Sequence, residues 1–116
     1  MSDQWVAFDG AMAWIGLSDR GQQQLGKIHY IGLFRTAYDV QPGDRLCELE
    51  TDAMIEDFKA PIAGRLLEFN PAVLKDPSLI NRAPEAEGWL YRLQLSPMHR
   101  LMRPAQYRKY CENRLY

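Results

Sequence analysis

With 116 residues, 47% hydrophobic and 25% charged, the chain has the size and balance of one globular domain around a modest core rather than a disordered segment. No apolar run approaches the roughly 20 residues that a membrane-crossing helix requires, and no basic stretch followed by an apolar one marks a secretory signal. The formal charge of −1 conceals an asymmetry: residues 1–95 hold nine Lys/Arg against fourteen Asp/Glu, whereas residues 96–116 hold five against one.

Trp5–Phe8 reads as a strand that enters a tight turn at Asp9-Gly10, and Met12–Leu17 returns as the second strand of a hairpin. Ser18 is placed to cap a short helix, Asp19 suits its positive end and Gly26 closes it. Gly21 weakens that helix by about 1 kcal/mol relative to alanine, so the helix must depend on docking. Lys27–Ile31 alternates as a strand, and residues 32–38 give no clear pattern. Asp39–Asp44 is a turn built on Pro42-Gly43-Asp44. It leads into Arg45-Leu46-Cys47-Glu48-Leu49-Glu50, which is echoed twenty residues later by Arg65-Leu66-Leu67-Glu68-Phe69-Asn70. Two such strands on either side of a hairpin suggest half-motifs related by a pseudo-two-fold.

Phe58–Pro61 is a short strand whose proline belongs at an end or edge. Asn70-Pro71 opens a turn or two of helix, and Asp76-Pro77 repeats the device. Trp89, Tyr91, Leu93 and Leu95 alternate along one face of a further strand. The basic tail could suggest nucleic acid or a membrane, but Met98, Leu101, Met102, Tyr107, Tyr110 and Cys111 interleave with its charges at helical spacing. We read residues 96–116 as a C-terminal helix packed on an acidic body, with no nucleic-acid or membrane partner.

The chemically distinctive stretch is Glu48–Asp57. It runs from a strand through a polar turn at Thr51-Asp52 and out again at Ile55, and five of its ten residues are acidic. Glu48, Glu56 and Asp57 can serve, with Glu50 and Asp52, as a docking patch for a basic partner, or simply as a solvated hairpin. Nothing in the pattern supplies catalysis: the acids have no nucleophile beside them, and His29 and His99 lack metal-ligand spacing. Cys47 and Cys111 are too few and too far apart to establish a disulfide framework, so a reducing, cytoplasmic setting is the simplest reading.

Glu50-Thr51-Asp52-Ala53 resembles the Glu-Thr-Asp-Lys signature of lipoyl domains, whose lysine carries lipoate as an amide at a hairpin tip. The longer series is similar to glycine cleavage H proteins: Ile15-Gly16-Leu17-Ser18-Asp19, Gln24-Leu25-Gly26, Glu50 through Asp57, Ala60-Pro61-Ile62-Ala63-Gly64, Asn70-Pro71-Ala72 and Gly88-Trp89-Leu90. It covers about residues 3–107 in order. The resemblance implies a mainly β fold, a barrel-sandwich hybrid with short helices and a C-terminal helix. It also implies a non-catalytic carrier that shuttles a lipoyl-bound intermediate between lipoate-dependent enzymes after loading by a lipoate ligase or lipoyl transferase. The implied attachment position is Ala53, flanked by Glu50, Thr51, Asp52 and Met54.

Alanine has no amine to acylate, so lipoate cannot attach at position 53 of this chain. A deliberate lysine-to-alanine replacement would leave these intact flanks; natural loss in a non-carrier interaction module is the other reading. The Glu-Thr-Asp start is closer to dehydrogenase-complex lipoyl domains than to the Glu-Ser-Val of H proteins. A lipoate-binding carrier of a sulfur-oxidation pathway therefore stays open beside glycine cleavage. A biotin carrier is a third relative, but only Met54 of its usual methionine pair is present. Lys59, the nearest other lysine, is expected in the strand after the hairpin, away from the tip.

Overall fold

A computed structural model describes residues 3–34 and 39–95, together with the backbone of 108–111. The chain begins as a hairpin, β1 (Gln4–Asp9) and β2 (Met12–Leu17), turning at Gly10, whose φ of 59° lies in the left-handed region. Helix α1 (Asp19–Leu25) follows at once, and Ser18 Oγ accepts a hydrogen bond from the Gly21 N–H at 3.0 Å, as an N-cap should. Packing explains the glycine at position 21. A Cβ there would lie 2.6 Å from the Asp3 carbonyl oxygen, so the missing side chain lets the helix pack against the start of the chain.

Next come β3 (Tyr30–Leu33), the two-residue β4 (Asp39–Val40), β5 (Arg45–Glu50), β6 (Ile55–Lys59) and β7 (Gly64–Phe69). Helices α2 (Pro71–Lys75) and α3 (Leu79–Arg82) precede β8 (Tyr91–Gln94) and β9 (Arg108–Cys111). Asn70 caps α2 by accepting from the Ala72 N–H, and its amide donates back to the carbonyls of Glu87 and Trp89, each at 2.8 Å. One buried side chain thus starts a helix and anchors the loop that enters β8.

Among the described residues, all strand pairings are antiparallel. One sheet has the order β4-β7-β8-β2-β1-β9, the other β3-β5-β6. The sheets share a single core in which Ile15, Leu17, Leu46, Leu49, Phe58, Leu90 and Leu93 are fully buried. Tyr91 of β8 ties them together: its hydroxyl donates to the Leu46 carbonyl of β5 at 3.0 Å, and Phe58 of β6 stacks over its ring with centroids 6.4 Å apart. This is the mainly β sandwich that the motif series implies. The two echoed strands are both present, but β5 and β7 lie in different sheets.

The other face of the larger sheet holds a smaller cluster of Trp5, Ala7, Trp14 and Trp89. Trp5 pairs across the ladder with Gly16, where an added Cβ would come within 2.9 Å of the indole Nε1. That nitrogen donates to the Pro84 carbonyl at 2.8 Å. The expected single face of Trp89, Tyr91, Leu93 and Leu95 is therefore corrected at one residue. Trp89 precedes the strand and packs with Trp5 and Trp14, while Leu90 enters the main core.

The expected helix over 96–116 is corrected where the backbone is described. Arg108–Cys111 form β9, paired with β1 from Trp5↔Cys111 to Phe8↔Arg108. The physical reason is that β1 would otherwise end the sheet with a row of open N–H and C=O groups, which a strand satisfies and a helix does not. The remainder of that expected helix lies outside the described residues, as do residues 35–38. Among the described residues no helix is long and apolar enough to cross a membrane.

Candidate functional site: the β5–β6 hairpin tip

Strands β5 and β6 pair from Glu50↔Ile55 back to Arg45↔Lys59, with a register shift between Arg45 and Cys47. That irregularity changes the alternation, so Leu46 and Cys47 are both buried although they are adjacent. Core packing of Leu46, Cys47, Leu49 and Phe58 thereby holds the base of the hairpin rigid. What remains outside is the tip.

The turn is closed by the Thr51 N–H donating to the Met54 carbonyl at 2.9 Å, which leaves Asp52 and Ala53 as its two central residues. Thr51 is only 8% exposed, and its hydroxyl oxygen accepts from the N–H groups of Ala53 and Met54, each at 3.2 Å. The threonine is thus the internal brace of the turn, in the manner of a hydroxyl-capped loop. Its neighbours project into solvent: the Asp52 side chain is 94% exposed, and Ala53 and Met54 are exposed beside it. No residue of the turn has positive φ, so any side chain could stand at position 53 without backbone strain.

Glu48, Glu50 and Asp57 point outward from the three-stranded sheet, with Glu48 directly opposite Asp57. Glu56 stands opposite the buried Leu49 and so belongs to the other face. The expected acidic patch is therefore divided between two faces rather than gathered on one. Arg45 reaches Asp57 at 3.4 Å and lies 4.7 Å from the centre of the Phe34 ring, which partly neutralises the end away from the tip. Lys59 ends β6 and is exposed there, at the base of the hairpin and not at its tip.

Two neighbours escaped the sequence reading. His29 Nε2 lies 3.0 Å from Asp52 Oδ1, and the His29 N–H donates to the Glu50 carbonyl at 2.9 Å. Tyr30, the next residue, pairs with Glu50 and is 57% exposed. Both come from β3 or the residue before it, distant in the chain, and no local pattern links them to the tip. The one available signal was the alternation of residues 27–31.

Ionisation at the site's base is governed by burial. Burial pushes the Cys47 thiol up to about 12; the nearby Asp57 and Glu48 carboxylates add to the rise, and a hydrogen bond with the Tyr91 hydroxyl opposes it. The Tyr91 phenol is also raised, first by burial and then by Cys47. Both groups stay neutral at ordinary pH, so Cys47 is a packing residue with no thiolate to react. Far from the tip, Asp76 is held below the usual carboxylate range, chiefly by the Ser78 hydroxyl hydrogen bond. Among the described residues no group of His, Cys, Asp and Glu is arranged to hold a metal.

The hairpin is thus a rigidly based, internally braced turn of a two-sheet β domain, with Asp52, Ala53 and Met54 exposed at its tip. The family model of the glycine cleavage H-protein matches residues 1–114, and the chain belongs to that family. The chain is 30% identical over 111 residues to the glycine cleavage system H protein of Thermotoga maritima, covering 93% of this chain and 90% of the relative. It is 32% identical over 114 residues to the mitochondrial glycine cleavage system H protein of Oryza sativa subsp. indica, covering 96% of this chain and 70% of that one. A crystal structure of a glycine cleavage system H protein from Mycobacterium marinum shares the fold with a TM-score of 0.68 at 22% identity, covering 86% of this chain and 94% of that chain.

Proposed function

We propose that this chain is a non-catalytic, cytoplasmic module of the lipoyl-carrier type, built to present position 53 to lipoate-dependent enzymes and to the ligase or transferase that loads such carriers. The observation that supports this reading is the tip itself: an exposed two-residue turn, braced from within by Thr51, standing on strands locked into the core. A residue held this way is rigid at its Cα and free beyond it, which is what a swinging arm needs from its anchor.

The residues present do not fit the lipoyl group itself. Acylation requires an amine on a long stem, and Ala53 ends in a methyl group. The tip therefore has the presenting geometry without an amine at position 53 to acylate. A second reading is favoured by that same alanine: a module that keeps the fold and docking surfaces and acts by interaction alone.

The two readings separate in one experiment. The A53K variant is coexpressed with a lipoate–protein ligase and its intact mass is measured. The carrier reading expects a single lipoyl mass increment, located at position 53 by peptide mapping. A folded, unmodified A53K protein beside a control domain that the same ligase modifies would overturn it.

A further inference from the structure

The outer face of the three-stranded sheet next to the tip has a chemistry of its own. Tyr30, Glu50 and Ile55 form one row across β3, β5 and β6, and all three point outward. Tyr30 and Ile55 are each 57% exposed, a large apolar investment on a small sheet face. In the adjacent row Glu48 pairs with Gly32, where the absent side chain leaves room: a Cβ there would lie 3.2 Å from Glu48 Cγ and 3.5 Å from Tyr30 Cε2. The Tyr30 ring and the Glu48 carboxylate therefore meet over the glycine, with Glu50 alongside. Among the described residues no lysine or arginine pairs with Glu48 or Glu50.

An aromatic ring with carboxylates at its rim is the complement of a guanidinium, which stacks on the ring and donates to the acids through its fork of N–H groups. The same sheet already contains one such arrangement, filled from within: Arg45 lies over the Phe34 ring and reaches Asp57. We propose that the Tyr30–Glu50–Glu48 corner seats an arginine side chain of the enzyme that works at the tip, with Ile55 as the apolar wall beside it. The seat rests on the carrier-type reading above and adds the residues and chemistry by which a partner is held. Because it adjoins position 53, an arginine bound there fixes the partner's active site over the tip.

The test uses a lipoate–protein ligase as the probe, with binding to the unmodifiable Ala53 chain followed by calorimetry so that turnover does not intervene. Y30L and E50Q should each raise Kd about fivefold or more, whereas Y30F, which keeps the ring face, should stay near the parent value. L74A removes an exposed leucine on α2 and should change nothing. In parallel, the parent chain should protect at least one ligase arginine from phenylglyoxal, located by mass spectrometry, and Y30L should not. Parent-like binding by Y30L and E50Q, equal losses in Y30F and Y30L, or no protected arginine would each overturn the seat. Such a result with A53K still gaining its lipoyl mass leaves the carrier reading standing; no binding and no mass gain removes both.

Discussion

Thr51→Val is the sharpest probe of the tip, because it removes one oxygen and keeps the side-chain shape. That oxygen accepts two N–H groups at 3.2 Å, from Ala53 and Met54, and lies 3.4 Å from the Met54 carbonyl. Neutral hydrogen bonds contribute about 0.5–1.5 kcal/mol each, and these are long and close to water that can replace them, so the loss should be about 1 kcal/mol. Nearly all of it should be local, since the strands below stay locked by Leu49 and Phe58. Amide hydrogen exchange reads this directly: the Ala53 and Met54 amides should exchange about fivefold faster in T51V, as expected for 1 kcal/mol, while core amides of β5 are unchanged. T51S keeps the hydroxyl and should restore most of the protection. Equal exchange at both amides in T51V and the parent would refute the claim that Thr51 braces the turn.

Gly21→Ala should destabilise the protein despite removing a helix-weakening residue. The gain of about 1 kcal/mol in helix propensity is outweighed by a Cβ 2.6 Å from the Asp3 carbonyl oxygen, for a net loss of about 1–2 kcal/mol in urea unfolding; a stabilised G21A would refute that packing. Tyr91→Phe removes the hydroxyl donor from the Leu46 carbonyl, which still accepts from the Phe34 N–H, and should cost about 0.5–1.5 kcal/mol, seen as a melting temperature lower by a few degrees. The Cys47 thiol is raised from 9.0 to about 12 on folding, so its contribution is fully present below pH 9. It is lost as pH rises toward 12, because the unfolded chain gives up its proton first. The urea midpoint should fall as pH rises above about 9, and C47A should flatten part of that fall; a midpoint unchanged from about pH 9 to pH 11 would contradict the buried, neutral thiol.

Much of this molecule is written in short-range patterns. The alternation of Trp5–Phe8 and Met12–Leu17 around Asp9-Gly10, the caps at Ser18 and Asn70, and the hairpin running out through Thr51-Asp52 all depend on residues a few positions apart. So does the exposure of position 53, since a turn between two apolar strands must project its centre. Local sterics and local hydrogen bonds decide such features, and the chain order alone reveals them.

What only the tertiary structure decided is how those pieces meet. The echo of Arg45–Glu50 in Arg65–Asn70 does not say that the two strands fall in different sheets. The acids from Glu48 to Asp57 read as one patch, yet the pleat sends Glu56 to the opposite face from Glu48 and Asp57. The tail's apolar spacing suits a helix, but β1 offered an open edge and Arg108–Cys111 filled it. His29 and Tyr30 reach the tip only because β3 pairs with β5. Each of these turns on which backbone edges remain to be hydrogen-bonded and which faces remain to be covered once the core has closed, and that sum is taken over the whole chain.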